Sequence, residues 1–353
     1  MKSSSIPEQL TPGTFNDPEN TDFFTIFVVL RYIRVKKKKM STQWDTLLSA
    51  AYEWNWCRLM FVFYIVVISL GGTGVNFMAS VIPLPDFFLQ AFKFGKMAHG
   101  RANRFISFFE IPKRWFYHFY VLASVAVTAA LVQMGLLYIQ GSALPTWEKS
   151  LFDILTSPER KPAVTNTAAA IGLVLLALQI YRRLYENLFV SIFSSGHINI
   201  LHYIVGHTHY LGAVTLLLAE APGFDGQSFD ATFTSVEMHH VLGCILSLAG
   251  YVLQFSSLSI LASLRKSSGK NAKEKHMMPR GGMFDLLSCP HMFAEVLVYV
   301  GITLVLWNHT EWLFVTTWVI CNQVQVAVMN HSWYRETFKD YPLKRKAIFP
   351  FLL

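Results

Sequence analysis

The sequence predicts an all-α membrane protein, a multi-pass bundle of about seven transmembrane helices. Three observations predict this fold class. Hydrophobic residues make up 53% of the 353-residue chain and charged residues only 15%. The mean hydropathy is +0.36, which lies outside the balance of soluble globular proteins. The apolar residues are collected into runs long enough to cross a hydrocarbon layer of about 30 Å as helices. This composition excludes secreted, collagen-like and disordered proteins.

Seven apolar runs define the predicted helices in chain order. They cover residues 57–78, 116–138, 164–181, 198–219, 238–264, 291–308 and 312–330. Runs of about 20 apolar residues are typical of spanning helices. The polar segments between them are too short for a soluble domain, so we expect residues 56–353 to form one membrane domain.

The basic residues predict the orientation of the bundle. The loops at 79–115, 182–197 and 265–290, with the tail after 330, contain 19 Lys and Arg, whereas the alternate loops contain three. Because Lys and Arg accumulate on the cytosolic side of membranes, we expect a cytosolic C-terminus. The net charge of +8 then reflects topology, and nucleic acid is not a predicted partner.

Residues 1–55 are predicted to be a leader that is disordered or lies at the membrane interface. The apolar run at 23–30 is too short to span, and it is followed by four lysines at 36–39. The order of charge and apolar residues is not that of a signal peptide. These lysines conflict with a lumenal N-terminus, and a start at Met40 would remove the conflict.

Ionisable residues near the cytosolic helix ends are the candidate site residues, because each costs roughly 2.5 to 3.5 kcal/mol inside a bilayer. His291 and Glu295 are four residues apart and share a helix face. His331 and Tyr334 are three apart in the tail. The third predicted helix ends in Arg182, Arg183 and Glu186. Such a cluster is typical of a site for a charged cofactor, although an interfacial Arg183–Glu186 ion pair and a basic tail resting on lipid headgroups are an alternative interpretation.

The loop at 265–290 offers cations and flexible backbone for a phosphorylated ligand. Its candidate residues are Arg265, Lys266, His276 and Arg280, the last followed by two glycines. Neither GxxxxGK[ST] nor GxGxxG occurs, so a Rossmann domain is not predicted. A nucleotide would therefore bind among helices and loops.

No metal site is predicted. Histidines gather around the fourth and fifth predicted helices at positions 197, 202, 207, 209, 239 and 240, but they do not complete the several boxes that a di-iron oxygenase needs. The four cysteines are widely spaced with no CxxC. We expect most of these histidines to form hydrogen bonds within the bundle.

The C-terminal part of the chain resembles the steroid 5α-reductase family. The residues that carry the resemblance are 281–284, 288–291, Glu295, His331, Trp333, Tyr334, Phe338, Tyr341, Pro342, Arg345, Lys346 and 350–352. Further segments at 111–120 (IPKRWFYHFY), 182–186 (RRLYE), 264–266 and 322–323 resemble its polyprenol reductase branch. The resemblance covers about residues 90–353, with a family core at about 182–353.

The resemblance implies a seven-helix reductase of the endoplasmic reticulum membrane that takes hydride from NADPH at the cytosolic face. It places Arg265, His276, His291, Glu295, His331 and Tyr334 at or near cofactor-binding positions. It also implies that Arg265, Lys266 and Arg280 meet the cofactor phosphates. His276, His291 and Asn330 depart from the family's common residues, which leaves the individual contacts open.

The implied chemistry favours an aldehyde substrate. Hydride adds to a double bond that is conjugated to a carbonyl, because the oxygen accepts the electron pair. The substrate would be a long-chain isoprenoid, polyprenal rather than polyprenol, and its product would lead to dolichol for protein N-glycosylation. In this hypothesis Glu110, protonated in an apolar site, or Tyr185 donates to the carbonyl oxygen, with Glu186 as a third catalytic candidate.

Three alternatives stay open at this stage. The same fold would serve a trans-2-enoyl-CoA reductase, although a CoA substrate needs additional cationic surface for its own phosphates. It would also serve a 3-oxo-5-alpha-steroid 4-dehydrogenase. The third alternative is a non-enzymatic scaffold or transporter, in which the basic tail only binds membrane lipids.

Overall fold

The structure is a computed structural model that describes residues 49–79, 81, 83–85, 89, 92, 109–193, 196–267 and 276–353. Residues 52–353 form one compact unit. Most of the predicted leader lies outside the described residues, as do parts of the basic loops at 79–115 and 265–290.

Eight α-helices have described bounds, and seven of them coincide with the seven apolar runs. They are α1 (Trp56–Thr73), α2 (Tyr117–Tyr138), α3 (Thr146–Thr156), α4 (Asn166–Tyr185), α5 (Ile200–Ala219), α6 (Met238–Ser267), α7 (Pro290–Val305) and α8 (Thr310–Thr337). Single π-helical turns, Gly74–Met78 and Glu186–Val190, continue α1 and α4, and 3₁₀ turns cover Lys113–Phe116 and Gly282–Asp285. The sequence analysis did not predict α3, because this helix has only 11 residues and carries charges at Glu148 and Lys149.

Five of the helical segments are long and apolar enough to cross a membrane. They are Trp56–Met78, Lys113–Tyr138, Asn166–Val190, Met238–Lys266 and Thr310–Thr337. The 16 residues of α7 rise about 24 Å at 1.5 Å per residue, less than the hydrocarbon thickness. Three histidines lower the hydropathy of α5. The protein is thus a mostly helical membrane protein, and the predicted count of seven spans is not confirmed.

A two-stranded antiparallel sheet is an addition to the predicted all-α fold. Strand β1 (Glu110–Pro112) pairs with β2 (His197–Asn199), with Glu110 opposite Asn199. The Lys113 amide extends the ladder by donating to the Gly196 carbonyl at 3.0 Å. Because β1 precedes α2 and β2 precedes α5, the sheet ties the starts of these two helices together.

Hydrogen bonds at the end of the bundle away from this sheet join the starts of α1 and α8 with the ends of α2 and α5. Arg58 at the start of α1 pairs with Glu311 at the start of α8. His309, which caps α8, lies with Nε2 2.9 Å from the Leu217 carbonyl near the end of α5. The Tyr138 hydroxyl at the end of α2 donates to the Pro222 carbonyl at 3.1 Å. We call this the acidic end, after Glu220 and Glu311, and the other the basic end, where Arg182, Arg183, Arg265 and Lys266 lie.

Helices α6 and α7 approach closely through glycine. A Cβ atom on Gly301 would lie 2.6 Å from the Gly243 carbonyl oxygen and 2.7 Å from the Ser247 nitrogen. Small residues at such crossings allow the helix backbones to meet. This contact holds α7 against α6 and thereby sets the position of the polar residues on both helices.

Gly301→Val is expected to lower the stability of the protein by about 1–3 kcal/mol, because the added side chain must push two backbones apart. Thermal unfolding of the purified protein in detergent measures the effect. The matched control is Gly135→Val in α2, where an added Cβ meets nothing within 4 Å. Equal losses in the two variants would contradict close packing at Gly301.

Candidate active site

Six polar side chains form a buried cluster where α4, α6 and α7 meet at the basic end. They are Gln179, Arg182, Arg183, Glu186, Gln254 and Glu295, which together we call the buried polar cluster. Gln179 and Glu186 are fully buried, and Gln254 and Glu295 are nearly so. The four members from α4 and its π-helical turn follow one another at helical spacings of three and four residues, so they share one face.

Glu186 is held between two guanidinium groups. Arg182 donates to one carboxylate oxygen, and Arg183 Nη1 donates to the other at 2.6 Å. A buried charge persists only when it is paired. The Arg183–Glu186 ion pair considered from the sequence is therefore present, but the Glu186 carboxylate has no exposed surface and lies inside the bundle.

Glu295 is bound by two carboxamides. Gln179 Nε2 donates to Oε1 at 3.0 Å, and Gln254 Nε2 donates to Oε2. The same Gln254 nitrogen lies 3.1 Å from the His291 carbonyl, which ties the first turn of α7 to α6. The predicted His291–Glu295 face is thus turned into the bundle and is fixed by glutamines from α4 and α6.

Tyrosines extend the buried polar cluster towards α2 and α5. Arg183 Nε donates to the Tyr120 hydroxyl at 3.2 Å, and its guanidinium carbon lies 5.3 Å from the centre of that ring. The Tyr299 hydroxyl lies 3.0 Å from His209 Nε2. Tyr299 also stacks on Trp312 with 5.9 Å between ring centres. These contacts join α4 to α2, and α7 to α5 and α8.

A second group, which we call the tail cluster, consists of Ser288, His331, Tyr334, Tyr341 and Arg345. His331 Nδ1 lies 2.6 Å from the Ser288 hydroxyl and 3.1 Å from the Tyr341 hydroxyl. Tyr334 stacks on Tyr341 with 6.2 Å between ring centres. His331 and Tyr334, three residues apart, are therefore brought together by the ring of Tyr341.

Burial and backbone pairing fix the tail cluster. Arg345 is 2% exposed, donates from Nη1 to the Pro279 carbonyl at 3.2 Å and lies over the Tyr341 ring. Burial raises the pKa of the Tyr341 phenol, so this hydroxyl stays neutral and can donate a hydrogen bond. The Ser288 and Cys289 amides donate to the carbonyls of Lys346 and Ala347 at 2.8 and 3.1 Å. These backbone hydrogen bonds hold the C-terminal segment around Lys346 and Ala347 beside the start of α7.

Several predicted cofactor residues lie outside both clusters. The Arg265 side chain donates to the Ile192 carbonyl, and Lys266 is exposed. His276 meets the Trp333 ring edge-on with 5.2 Å between ring centres. Arg280 pairs with Asp340 at 2.7 Å, and both side chains are largely exposed. The cations predicted to meet phosphates are thus surface groups around the tail.

Two of the predicted catalytic residues are exposed. Glu110 begins strand β1 with its side chain exposed, so the part of the chain that the structure describes does not bury it in the apolar site that the sequence analysis expected. Tyr185 is 52% exposed, and its ring packs against Phe189 with 5.2 Å between centres. Glu186, next in sequence to Tyr185, is instead turned inwards. The structure therefore separates the buried candidate acid from the two exposed candidates.

The sequence analysis missed Gln179 and Gln254. The candidates in the apolar runs were ionisable residues, whereas both of these side chains are uncharged. A carboxamide deep in a long apolar run needs hydrogen-bond partners, and that was the available signal. Tyr120, Ser288, Tyr341 and Arg345 entered only as parts of the resemblance, without a site role.

Two histidines of α2 and α5 lie within hydrogen-bond distance of tyrosine hydroxyls. His118 Nδ1 lies 3.0 Å from the Tyr203 hydroxyl, and His209 contacts Tyr299. Within the described part of the chain, no group of three or more His, Cys, Asp or Glu side chains could hold a metal ion.

Comparison with known proteins identifies the family. A family model described as 3-oxo-5-alpha-steroid 4-dehydrogenase matches residues 223–353. The polyprenal reductase of Drosophila melanogaster is 35% identical over 310 residues, which cover 86% of this chain and 94% of the relative. Those of Danio rerio and Homo sapiens are 37% and 31% identical, over 69% and 77% of this chain and 80% and 88% of the relatives. The resemblance seen in the sequence is confirmed, and the chain belongs to the 3-oxo-5-alpha-steroid 4-dehydrogenase (steroid 5α-reductase) family, on its polyprenal reductase branch.

Proposed function

We propose that this protein reduces the α-isoprene double bond of polyprenal to give dolichal, with NADPH as the reductant. The observation that carries this proposal is the similarity to polyprenal reductases at 35% identity over 94% of the length of one relative. The buried polar cluster and the tail cluster, both at the basic end, offer hydrogen-bonding groups for a polar cofactor. Reduction of dolichal would supply dolichol for protein N-glycosylation.

The chemistry explains why an aldehyde is the better substrate. NADPH, when bound, supplies hydride. The β carbon of an enal accepts that hydride because the electron pair moves onto the carbonyl oxygen, and the α carbon then takes a proton. An allylic alcohol has no oxygen in a position to accept the pair. We therefore place polyprenal ahead of polyprenol.

The chain's own residues fit such a cofactor. Arg265, Lys266 and Arg280 present cations at the surface of the basic end, where phosphates would bind them. The Arg280–Asp340 pair is exposed, and exposed pairs contribute little, so a phosphate can replace Asp340 at small cost. We propose that His276, His291, Glu295, His331 and Tyr334 contact the rest of the cofactor.

The exposed candidates suit a lipid substrate. We propose that Glu110 or Tyr185 donates to the carbonyl oxygen of a substrate whose isoprenoid tail stays in the bilayer. Glu186 accepts hydrogen bonds from two arginines, so we assign it to holding Arg182 and Arg183 in place and not to proton donation. This assignment replaces the catalytic role that the sequence analysis gave it.

We propose that α5 and α7 complete a seven-span bundle in the endoplasmic reticulum membrane, with the C-terminus in the cytosol. Both helices are largely enclosed by their neighbours, since Tyr299, Ile302 and Leu216 are fully buried. An enclosed helix needs less apolar surface than one that faces lipid. The basic end then lies on the cytosolic side, as the distribution of Lys and Arg predicts.

Substrate comparison tests the proposal. Membranes containing the protein receive NADPH with polyprenal, polyprenol, a trans-2-enoyl-CoA or a 3-oxo-4-ene steroid, and mass spectrometry identifies the products. We expect reduction of polyprenal, absent from membranes without the protein. Reduction of only the enoyl-CoA or only the steroid would favour the corresponding family activity, and no reduction with no NADPH binding would favour a scaffold.

Glu110→Gln is expected to slow turnover with polyprenal by about 10²–10⁴-fold if Glu110 supplies the proton or hydrogen bond, while the KM for NADPH stays unchanged. The matched control is Glu237→Gln at the acidic end, whose side chain is 61% exposed. Normal turnover in Glu110→Gln would leave Tyr185 as the donor, and Tyr185→Phe would then carry the loss.

A further inference from the structure

The two glutamines of the buried polar cluster make the same pair of contacts. Gln179 Nε2 donates to Glu295, and its Oε1 accepts from Arg182 Nη2 at 2.7 Å. Gln254 likewise donates to Glu295 and accepts from Arg182. A guanidinium only donates and a carboxylate only accepts. Arg182 and Glu295 therefore fix both carboxamides in one orientation.

Both oxygens of Glu295 accept from carboxamides, as those of a carboxylate do, and this carboxylate has no direct ion pair among the described contacts. The negative charge is balanced across the carboxamides by Arg182, so that the two arginines and the two acids of the cluster sum to zero. A carboxylate has about four acceptor positions, and the two carboxamides use one on each oxygen. The remaining positions of Glu295 can accept from a ligand.

We propose that Gln179 and Gln254 are positioning residues that hold Glu295 as an oriented carboxylate acceptor for hydroxyl or amide N–H donors of the bound cofactor. This inference rests on the proposed function and names a role for two residues of the same site. A neutral carboxamide suits this role because it orients the carboxylate without neutralising it. A lysine or arginine at either position would form an ion pair with Glu295 and compete with the ligand.

The rival explanation is that the glutamines only join α4, α6 and α7. An apolar side chain of similar size would fill the same space without the cost of burying a carboxamide. Stability alone does not separate the two explanations, since both predict some loss on substitution. The test must therefore measure the affinity for the cofactor and the pH dependence of that affinity.

Gln254→Leu and Gln254→Glu in the full-length purified protein give that test, with NADPH affinity measured by direct titration between about pH 6 and 9. Gln254→Leu is expected to weaken NADPH binding about tenfold at every pH, since Glu295 loses a donor. Gln254→Glu is expected to bind weakly at high pH and to recover as the pH falls. A protonated carboxyl offers one donor and one acceptor as the carboxamide does, and two adjacent carboxyls readily share a proton.

The matched control is Gln227→Glu on an exposed loop at the acidic end, which should show the wild-type affinity at each pH. The other titratable or charged groups near Glu295 are Arg182, Arg183, Glu186, Tyr210, Tyr251 and Tyr299, besides His291. They are common to all variants, so the comparison with wild type at the same pH removes their contribution. Gln179→Glu repeats the test from α4 if a Gln254 variant fails to fold.

Two outcomes overturn the inference. If Gln254→Leu binds NADPH as tightly as the wild type but is less thermally stable, the glutamines only join helices. The same conclusion follows if the NADPH affinity of Gln254→Glu does not change with pH. Because binding is measured directly, these results do not depend on which lipid is the substrate. Absence of NADPH binding by the wild type would instead overturn the proposed function, and this inference with it.

Discussion

Glu186→Gln is expected to have the largest effect on stability of any single change in the site. The substitution removes the carboxylate that pairs with both Arg182 and Arg183, and it leaves guanidinium charge in a buried setting. Breaking a buried ion pair by removing one partner costs about 3–5 kcal/mol. Thermal unfolding in detergent should show the loss, and NADPH binding should fall with it, because Arg182 also orients both glutamines.

The matched control is Glu237→Gln, an acid whose side chain is 61% exposed and which should leave the unfolding temperature unchanged. A double variant, Glu186→Gln with Arg183→Gln, separates charge from packing. It should be less destabilised than the sum of the two single variants, since one unpaired charge has been removed. Additive losses would mean that Glu186 and Arg183 are not energetically coupled, and would contradict the importance of their ion pair.

His331→Ala is expected to weaken NADPH binding about 10–100-fold while the fold is retained. The imidazole turns Nδ1 towards Ser288 and Tyr341, which leaves Nε2 for a ligand. Losing a hydrogen bond to a charged group costs about 1.5–3 kcal/mol, and removal of the ring also frees Tyr341 to move. Direct titration with NADPH measures the change.

His239→Ala serves as the control for His331→Ala, because the partners of this histidine, Glu237 and the ring of His240, lie with it at the acidic end. Its affinity for NADPH should equal that of the wild type. Unchanged affinity in His331→Ala would remove the tail cluster from the cofactor site. Restored affinity in His331→Gln, whose Nε2 can place a donor near the position of the imidazole Nε2, would support the hydrogen-bonding role.

The helices were predictable because lipid imposes a simple rule on sequence. The run at 116–138 became Tyr117–Tyr138, and the run at 164–181 became Asn166–Tyr185. Each backbone polar group must be satisfied inside the segment, so apolar length alone indicates a helix. The same rule missed α3, which is short and carries charges, and it did not settle whether the 16-residue α7 spans the membrane.

The site was predictable where its residues are neighbours in sequence. Arg182 and Glu186, four residues apart, lie together in the buried polar cluster. His331 and Tyr334, three residues apart, lie together in the tail cluster. Contacts between distant segments were not predictable. Gln179 contacts Glu295, which is 116 residues away in the sequence, and Ser288 contacts His331, which is 43 residues away. Helical periodicity does not indicate which helices pack against each other.

The sequence by itself determined that this protein is a helical membrane protein and a member of its family, because composition and motif spacing are properties of the chain alone. Only the tertiary structure decided which polar groups are partners. It buried Glu186 between two arginines, paired Glu295 with two glutamines and left Glu110 exposed. The physical reason is that partners in a buried polar network are chosen by how α4, α6 and α7 pack, and that packing depends on contacts such as Gly301 against Gly243.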